Sequence, residues 1–278
     1  MMSRYDQNEA IFKRWQKQGR GQGTGKNYLP WLKVYNVPSR GRSHRARSST
    51  TNRVVHLVSD LEFHVFLELD WATEVVDIRE QFPLSLEKTI QIATEKGLKH
   101  PAVRGENIVM TSDFFVTQTN QSIPNFVIQA KYSDDVRKPR TKEKLLIEKS
   151  YWNELGVYYQ VVTEKDINPV RCENLKWLHS LDSLHISIDS LIATAQFWED
   201  ELYERQQERL LSIVSCIDET LGLDDGTSLS QLRLLFSKRI AIFDLTIPFF
   251  KLVAGEISFV QSVDISNHKV DCSGFISN

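Results

Sequence analysis

The chain has 278 residues, 41% hydrophobic and 25% charged, with 34 Lys and Arg against 36 Asp and Glu and a formal net charge of −2. This length calls for one large domain or two modest ones, and the balance excludes collagen-like, coiled-coil and fully disordered chains. The longest apolar run, Ile240 to Ala254, is broken by Asp244, Pro248 and Lys251 and falls short of the ~18 uninterrupted apolar residues of a membrane span. The N-terminus (MMSRYDQNEA) is polar and lacks a signal-peptide core. Cys172, Cys216 and Cys272 fit neither a disulfide framework nor a zinc pattern. An intracellular, cytoplasmic soluble protein is expected.

The near-neutral total hides a segregation. Residues 1–56 carry 12 Lys and Arg against 2 acids, residues 57–170 carry 13 against 18, and residues 171–278 carry 9 against 16. The densest stretch, SRGRSHRAR (39–47), sets Arg40, Arg42, Arg45 and Arg47 around His44; a second cluster, RKPRTKEK (137–144), holds Arg137, Lys138 and Arg140. Such clusters suit a phosphate backbone, through counterion release and the guanidinium fork, although a charge run is more often a solvated surface. Trp15, Tyr28, Trp31 and Tyr35, interleaved with the basic residues, favour an ordered arm.

In chain order, Glu9–Lys17 reads as a short helix stopped near Gly19. The stretch GRGQGTGK (19–26) fails as a phosphate-binding loop, because Arg20 and Asn27 stand where Gly and Ser or Thr are required; it reads as a flexible glycine loop. Leu57–Trp71 is expected as a buried helix, apolar nearly all round. Then come a strand at Val75–Ile78, a helix at Leu86–Lys96 closed by Gly97, strands near Val109–Val116 and Asn125–Tyr132, a helix from Thr141 to Leu155, and a strand at Val157–Val162. That order calls for a mixed α/β sheet with helices on its faces. The texture changes after Pro169. Ser187–Leu221 is mostly helical in pattern, Asp224–Ser228 is a turn, Leu229–Lys238 a helix, and the runs Ile240–Val253 and Ile257–Val263 read as strands. Two domains are expected, 1–168 and 169–278, the second winged-helix-like.

One polar constellation carries chemistry. Alternation puts Thr111, Asp113 and Phe115 on one face of their strand, and Val127, Gln129 and Lys131 on one face of the next. Pairing Asp113 with Gln129 centres the hairpin on Gln121, within the polar stretch TQTNQS (117–122). An acid on one strand and polar-x-Lys on its neighbour is the PD-(D/E)xK nuclease layout, in which carboxylate and carbonyl oxygens hold Mg²⁺ and lysine stabilises the pentavalent phosphorus. A plain Asp113–Lys131 cross-strand ion pair is the structural alternative. Glu62 supplies a third polar group on the apolar helix; SDLE (59–62) reads equally as a capping box with Ser59 or as a metal ligand's surroundings.

These residues fall within a wider match. The segments GRGQGTGKNYLPWLKVYNVPSRGRSHR (19–45), LVSDLE (57–62), DIREQFPL (77–84), KHPAVRG (99–105), SDFFV (112–116), IQAK (128–131) and INPVRCENLKWL (167–178) resemble the TnsA endonucleases of heteromeric cut-and-paste transposons, with a looser match in SLSQLRLLFSKR (228–239). The resemblance implies a restriction-endonuclease-like catalytic domain and a winged-helix-like C-terminal domain. It also implies catalytic roles for Glu62, Asp113 and Lys131, and Mg²⁺ held by Glu62, Asp113 and Gln129, with Mn²⁺ able to substitute. The implied activity is cleavage of the 5′ strand at transposon ends. A DDE-type transposase would cut the 3′ strand, and an ATP-dependent regulator would contact the C-terminal domain. Arg40, Arg42, His44, Arg45, Arg47, Arg137, Lys138 and Arg140 would face double-stranded DNA. At an ordinary pKa of about 10.4, Lys131 is charged at neutral pH and serves transition-state electrostatics rather than base catalysis. A non-catalytic adaptor bridging transposase and regulator, and a stand-alone restriction-type nuclease, are the competing readings.

Overall fold

The computed structural model describes residues 9–36, 42–179 and 187–260. The chain divides at Ile167/Asn168 into two compact units.

In the first unit, α1 (Glu9–Lys17) leads into a strap that carries two short 3-10 turns, Gly25–Asn27 and Val34–Asn36; the hairpin β1 (His44–Arg47) and β2 (Val54–Leu57) comes next among the described residues. There follow α2 (Asp60–Trp71), β3 (Val75–Pro83), α3 (Leu86–Glu95), a two-residue hairpin of β4 (Ala102–Val103) and β5 (Glu106–Asn107), β6 (Thr111–Gln118), β7 (Asn125–Ala130), α4 (Ser133–Val136), α5 (Pro139–Glu154) and β8 (Tyr158–Val162). The central sheet runs β3-β6-β7-β8, with β3/β6 and β6/β7 antiparallel and β7/β8 parallel. It is the mixed α/β sheet that the element order requires. The parallel pair needs a crossover, which α5 provides.

Two faces of this sheet are filled differently. On one, α3 and α5 pack together over Leu84, Ile92, Met110, Val127, Ile147 and Trp152, joined by Phe82 and Phe115. On the other lie Ile78, Val116 and Phe114, all fully buried and linked by register, with α2 against β3 and β7. The β6/β7 register, Phe114 opposite Ile128 and Phe115 opposite Val127, has the spacing expected of the hairpin but ends one step short of Asp113 and Gln129.

Several expectations change. The apolar run starting at Leu57 is not one helix: Val54–Leu57 is a strand, and Ser59 starts the helix only at Asp60. The glycine segment is not a flexible loop. Gly19, Gly21, Gly23 and Gly25 all have positive φ, and a Cβ on Gly21 would lie 2.3 Å from Pro83 Cγ, so the strap sits directly on β3. Its aromatic residues anchor it. Trp15 and Trp31 pack edge to face at 5.4 Å, and buried Tyr28 donates to the Glu80 carbonyl (3.0 Å), while Tyr35 stays exposed.

The second unit is mainly helical, with α6 (Pro169–Leu178), α7 (Ile188–Tyr203), α8 (Leu210–Leu221) and α9 (Thr227–Ser237), followed by the two-residue strands β9 (Ala241–Ile242) and β10 (Ser258–Phe259), which pair antiparallel. The run 240–253 is therefore mostly not strand. Its backbone is held instead by buried Asn174, whose amide donates to the Leu245 and Ile247 carbonyls (2.8 and 2.7 Å) and accepts from the Phe249 N–H (3.1 Å). The end of the other expected strand, together with Arg40 and Cys272, lies outside the described residues.

Candidate active site

Glu62 is placed by the first turn of α2. The Ser59 hydroxyl accepts from the Glu62 N–H (3.1 Å) and donates to Glu62 Oε1 (3.1 Å), while the Val58 N–H donates to Oε2 (2.9 Å). This is a capping box shifted by one residue, since the glutamate reaches the N–H before the cap rather than the cap's own. The cap does not take Glu62 away from the site. Its buried carboxylate feels both Asp113 and Lys131.

Asp113 and Gln129 meet where the β6/β7 ladder stops. Beyond the Phe114/Ile128 pair, two side chains replace the missing backbone bonds: the Asp113 N–H donates to Gln129 Oε1 (3.0 Å), and the Ala130 N–H donates to Asp113 Oδ2 (2.9 Å). Lys131 follows directly. Its Nζ donates to the Ala130 carbonyl (3.0 Å) and stands 3.4 Å from Asp113 Oδ2, with the side chain 34% exposed. The ladder thus ends at the residues that alternation singled out.

Strict alternation fails at one level. Ser112 and Phe115 should face opposite ways, yet both meet Trp152 of α5: the indole N–H donates to Ser112 Oγ (2.8 Å) and the ring lies 5.3 Å from Phe115. Alternation is therefore interrupted between Ser112 and Phe115. The break falls between them, where Gln81, facing Asp113 across the β3/β6 register, has φ 48°.

Charge is crowded here. Burial, then the negative charge of Asp113, pushes the Glu62 carboxyl up to about 8, against Lys131 and the Val58 and Ser59 donors. Burial would lower Lys131, but Asp113, Glu62 and Glu148 outweigh it and hold the ammonium above its usual range. Glu148, on α5, is a residue that sequence reading missed. It is buried, accepts from Ser112 Oγ (2.6 Å), and is pushed up to about 8, first by burial and further by Asp113. Within KEKLLIEKS (142–150) it looks like one more solvated helix charge, and only the helix's inner face reveals it.

Among the described residues, no three His, Cys, Asp or Glu side chains form a metal cluster. The donors present are two carboxylates, an amide oxygen and nearby backbone carbonyls. All are hard oxygen ligands, and they suit Mg²⁺, which keeps several waters and needs only one or two carboxylates.

The basic residues are scattered by comparison. Arg42, Arg45 and Arg47 are exposed, but His44 is tied to Asp60 (2.7 Å) and stacked on Phe63 at 4.5 Å. Burial, then Lys33, Arg45, Arg53 and Arg20, pull the pKa of His56 opposite Arg45 down to about 4, a sign of local positive crowding. Arg137, Lys138 and Arg140 pair with Asp134, Asp135 and Glu143, each three residues away. Arg20 is structural; it donates to the Trp31 carbonyl and to Asn36.

Comparison with known proteins agrees with this architecture. Residues 72–164 match the family model described as TnsA-like endonuclease N terminal, and residues 166–245 match TnsA endonuclease C terminal. Asp113, Gln129, Lys131 and Glu148 lie inside the first match and Glu62 just ahead of it. The chain is 40% identical over 249 residues to the Escherichia coli protein named Transposon Tn7 transposition protein TnsA, covering 90% of this chain and 91% of that protein.

Proposed function

The chain belongs to the TnsA endonuclease family, and from that premise we propose that it is the subunit that hydrolyses the 5′ strand at transposon ends, with Mg²⁺ held at Glu62 and Asp113. The observation that carries this reading is the meeting of Asp113, Gln129 and Lys131 at the end of the β6/β7 ladder, with buried Glu62 beside them.

Bound at these oxygens, Mg²⁺ would lower the pKa of a water and offset charge on the scissile phosphate. The protein's own groups do the rest. Asp113 and Glu62 present carboxylate oxygens from a strand and a helix, so their spacing is set by the packing of α2 on the sheet and not by a loop. Gln129 holds the Asp113 backbone and thereby its side chain. Lys131, kept protonated by the surrounding acids, is an electrostatic partner for the phosphate and not a base.

The first unit then corresponds to a restriction-endonuclease-like domain and the second to a winged-helix-like partner-binding domain. The exposed arginines of β1, with the 137–140 cluster, would follow the DNA phosphates. A DDE-type transposase would cut the other strand, and an ATP-dependent regulator would dock on the second unit. No helix among the described residues is long and apolar enough to cross a membrane.

Strand-specific end mapping tests this. Protein, cognate transposase and Mg²⁺ are incubated with labelled transposon-end DNA, wild type beside Asp113→Ala. Wild type should cut the 5′ strand, and the variant should leave only 3′-strand cuts. Identical products from both would make the chain a non-catalytic adaptor.

A further inference from the structure

We infer that Gln81 is a positioning residue for the Glu62 carboxylate, held in a left-handed backbone conformation that turns its amide into the site. The inference rests on the nuclease reading above and deepens it.

Four non-glycine residues among those described have positive φ. Asn52, Arg104 and Arg239 sit in turns or bends; Gln81 is inside β3, buried, with φ 48°. L-residues rarely adopt this conformation, and where they do it marks a position that the surroundings over-determine. Strand pairing does not demand it, since Glu80 and Phe82 on either side remain paired with Phe114 and Ser112. Its visible result is the direction of the side chain. Nε2 donates to Glu62 Oε2 (3.3 Å), and Oε1 accepts from the Thr111 hydroxyl (3.2 Å), which fixes the orientation of the amide. The Gln81 carbonyl also accepts from the Trp31 N–H (3.3 Å), so the strap holds the same residue from outside.

Glu62 thus receives Val58, Ser59 and Gln81 on its two oxygens. An ionised carboxylate has about four acceptor directions, so with these three donors one is left for a cation. Val58 and Ser59 belong to Glu62's own helix start, whereas Gln81 ties the carboxylate by a hydrogen bond to the sheet that carries Asp113. Groups that orient a ligand in this way typically contribute about 10–100-fold to metal affinity.

The test separates position from scaffold. In the full chain, Gln81→Ala keeps the backbone strain and removes the amide, whereas Gln81→Gly removes both. Mn²⁺ binding, followed by loss of the free-ion paramagnetic resonance signal, is measured beside thermal melting, with Asp113→Ala as reference. Both Gln81 variants should bind Mn²⁺ about tenfold more weakly than wild type, while Gln81→Gly melts at or above Gln81→Ala. Wild-type Mn²⁺ affinity in Gln81→Gly, with affinity lost in Asp113→Ala, overturns the inference and leaves the nuclease reading standing. Unchanged binding in Asp113→Ala overturns both. Failure of both Gln81 variants to fold also overturns it, because Gln81 would then be scaffold.

Discussion

Two of the centres where the first unit buries charge are wired in opposite ways. At Arg53 and Glu80, every charged atom has a partner. The guanidinium meets the carboxylate through two bonds (2.8 and 2.5 Å), gives others to the Ile78 and Gly25 carbonyls, and lies under the Tyr28 ring; Glu80 also accepts from the His56 N–H. At Glu62, Asp113 and Glu148, three buried carboxyls share one ammonium 3.4 Å from the nearest of them, and two of the three are pushed up to about 8. A buried ion pair with complete hydrogen bonding is a structural device. A buried group of acids left short of positive charge is costly unless something else supplies it, which is what a divalent cation would do.

The largest effect should come from unbalancing the balanced centre. Arg53→Ala leaves Glu80 buried and unpaired, and a loss of about 3–5 kcal/mol in urea denaturation is expected. Asp113→Ala sharpens the contrast from the other side. Its stability should stay within about 1 kcal/mol of wild type, because removing a repelling acid offsets the lost Ala130 hydrogen bond, while 5′-strand cleavage falls at least about a hundredfold. Equal destabilisation by the two substitutions would erase the distinction.

Glu148 gives a pH signature of intermediate size. Its folded pKa, about 8, lies above the ordinary 4.5, so between these values the folded protein keeps a proton that the unfolded chain has released. Stability must then fall as pH rises through that window and level off above it. Glu148→Gln removes the titration while keeping an acceptor for Ser112. Its denaturation midpoint should match wild type near pH 5 and exceed it at pH 9 by the equivalent of roughly 4 kcal/mol at most, the full value of the shift across that range. A constant difference across that range would mean that Glu148 is not buried as a protonated acid.

The balanced and unbalanced centres were not equally readable in the sequence. Asp113, Gln129 and Lys131 could be placed because a hairpin's register follows from alternation and one polar turn, both local. Glu62 showed itself through SDLE, although the strand Val54–Leu57 just before it merged with the helix into one apolar run. Arg53 and Glu80 meet across 27 residues, and nothing near either predicts the other. Gln81 was hidden for a different reason. Period-2 reading assumes an unbroken pleat, and the pleat is broken at Gln81, whose φ is 48°. In the second unit, the run 240–253 has the apolar content of a strand, but side-chain bonds from Asn174 replace the ladder, and composition does not distinguish the two.

The smallest effect on folding concerns the basic cluster, where charge is neither buried nor unbalanced. Arg137 and Lys138 are 72% and 60% exposed and pair with Asp134 and Asp135, so the double substitution to Ala should change stability by no more than about 0.5–1 kcal/mol. DNA binding is the measurement that discriminates. If both side chains leave their local acids for phosphates, removing them takes two contacts from the interface, and the slope of log affinity against log salt should flatten by about 1.8. If the pairs with Asp134 and Asp135 persist on DNA, each local charge is already cancelled, and the slope will stay as in wild type. The arginines of β1 provide the comparison: Arg45→Ala, at an exposed position with no acid opposite it on β2, should flatten the slope by about 0.9. A change from Arg45 and none from the 137–138 pair would confine the phosphate-binding surface to the hairpin ahead of α2, on the side of the sheet where Glu62 lies.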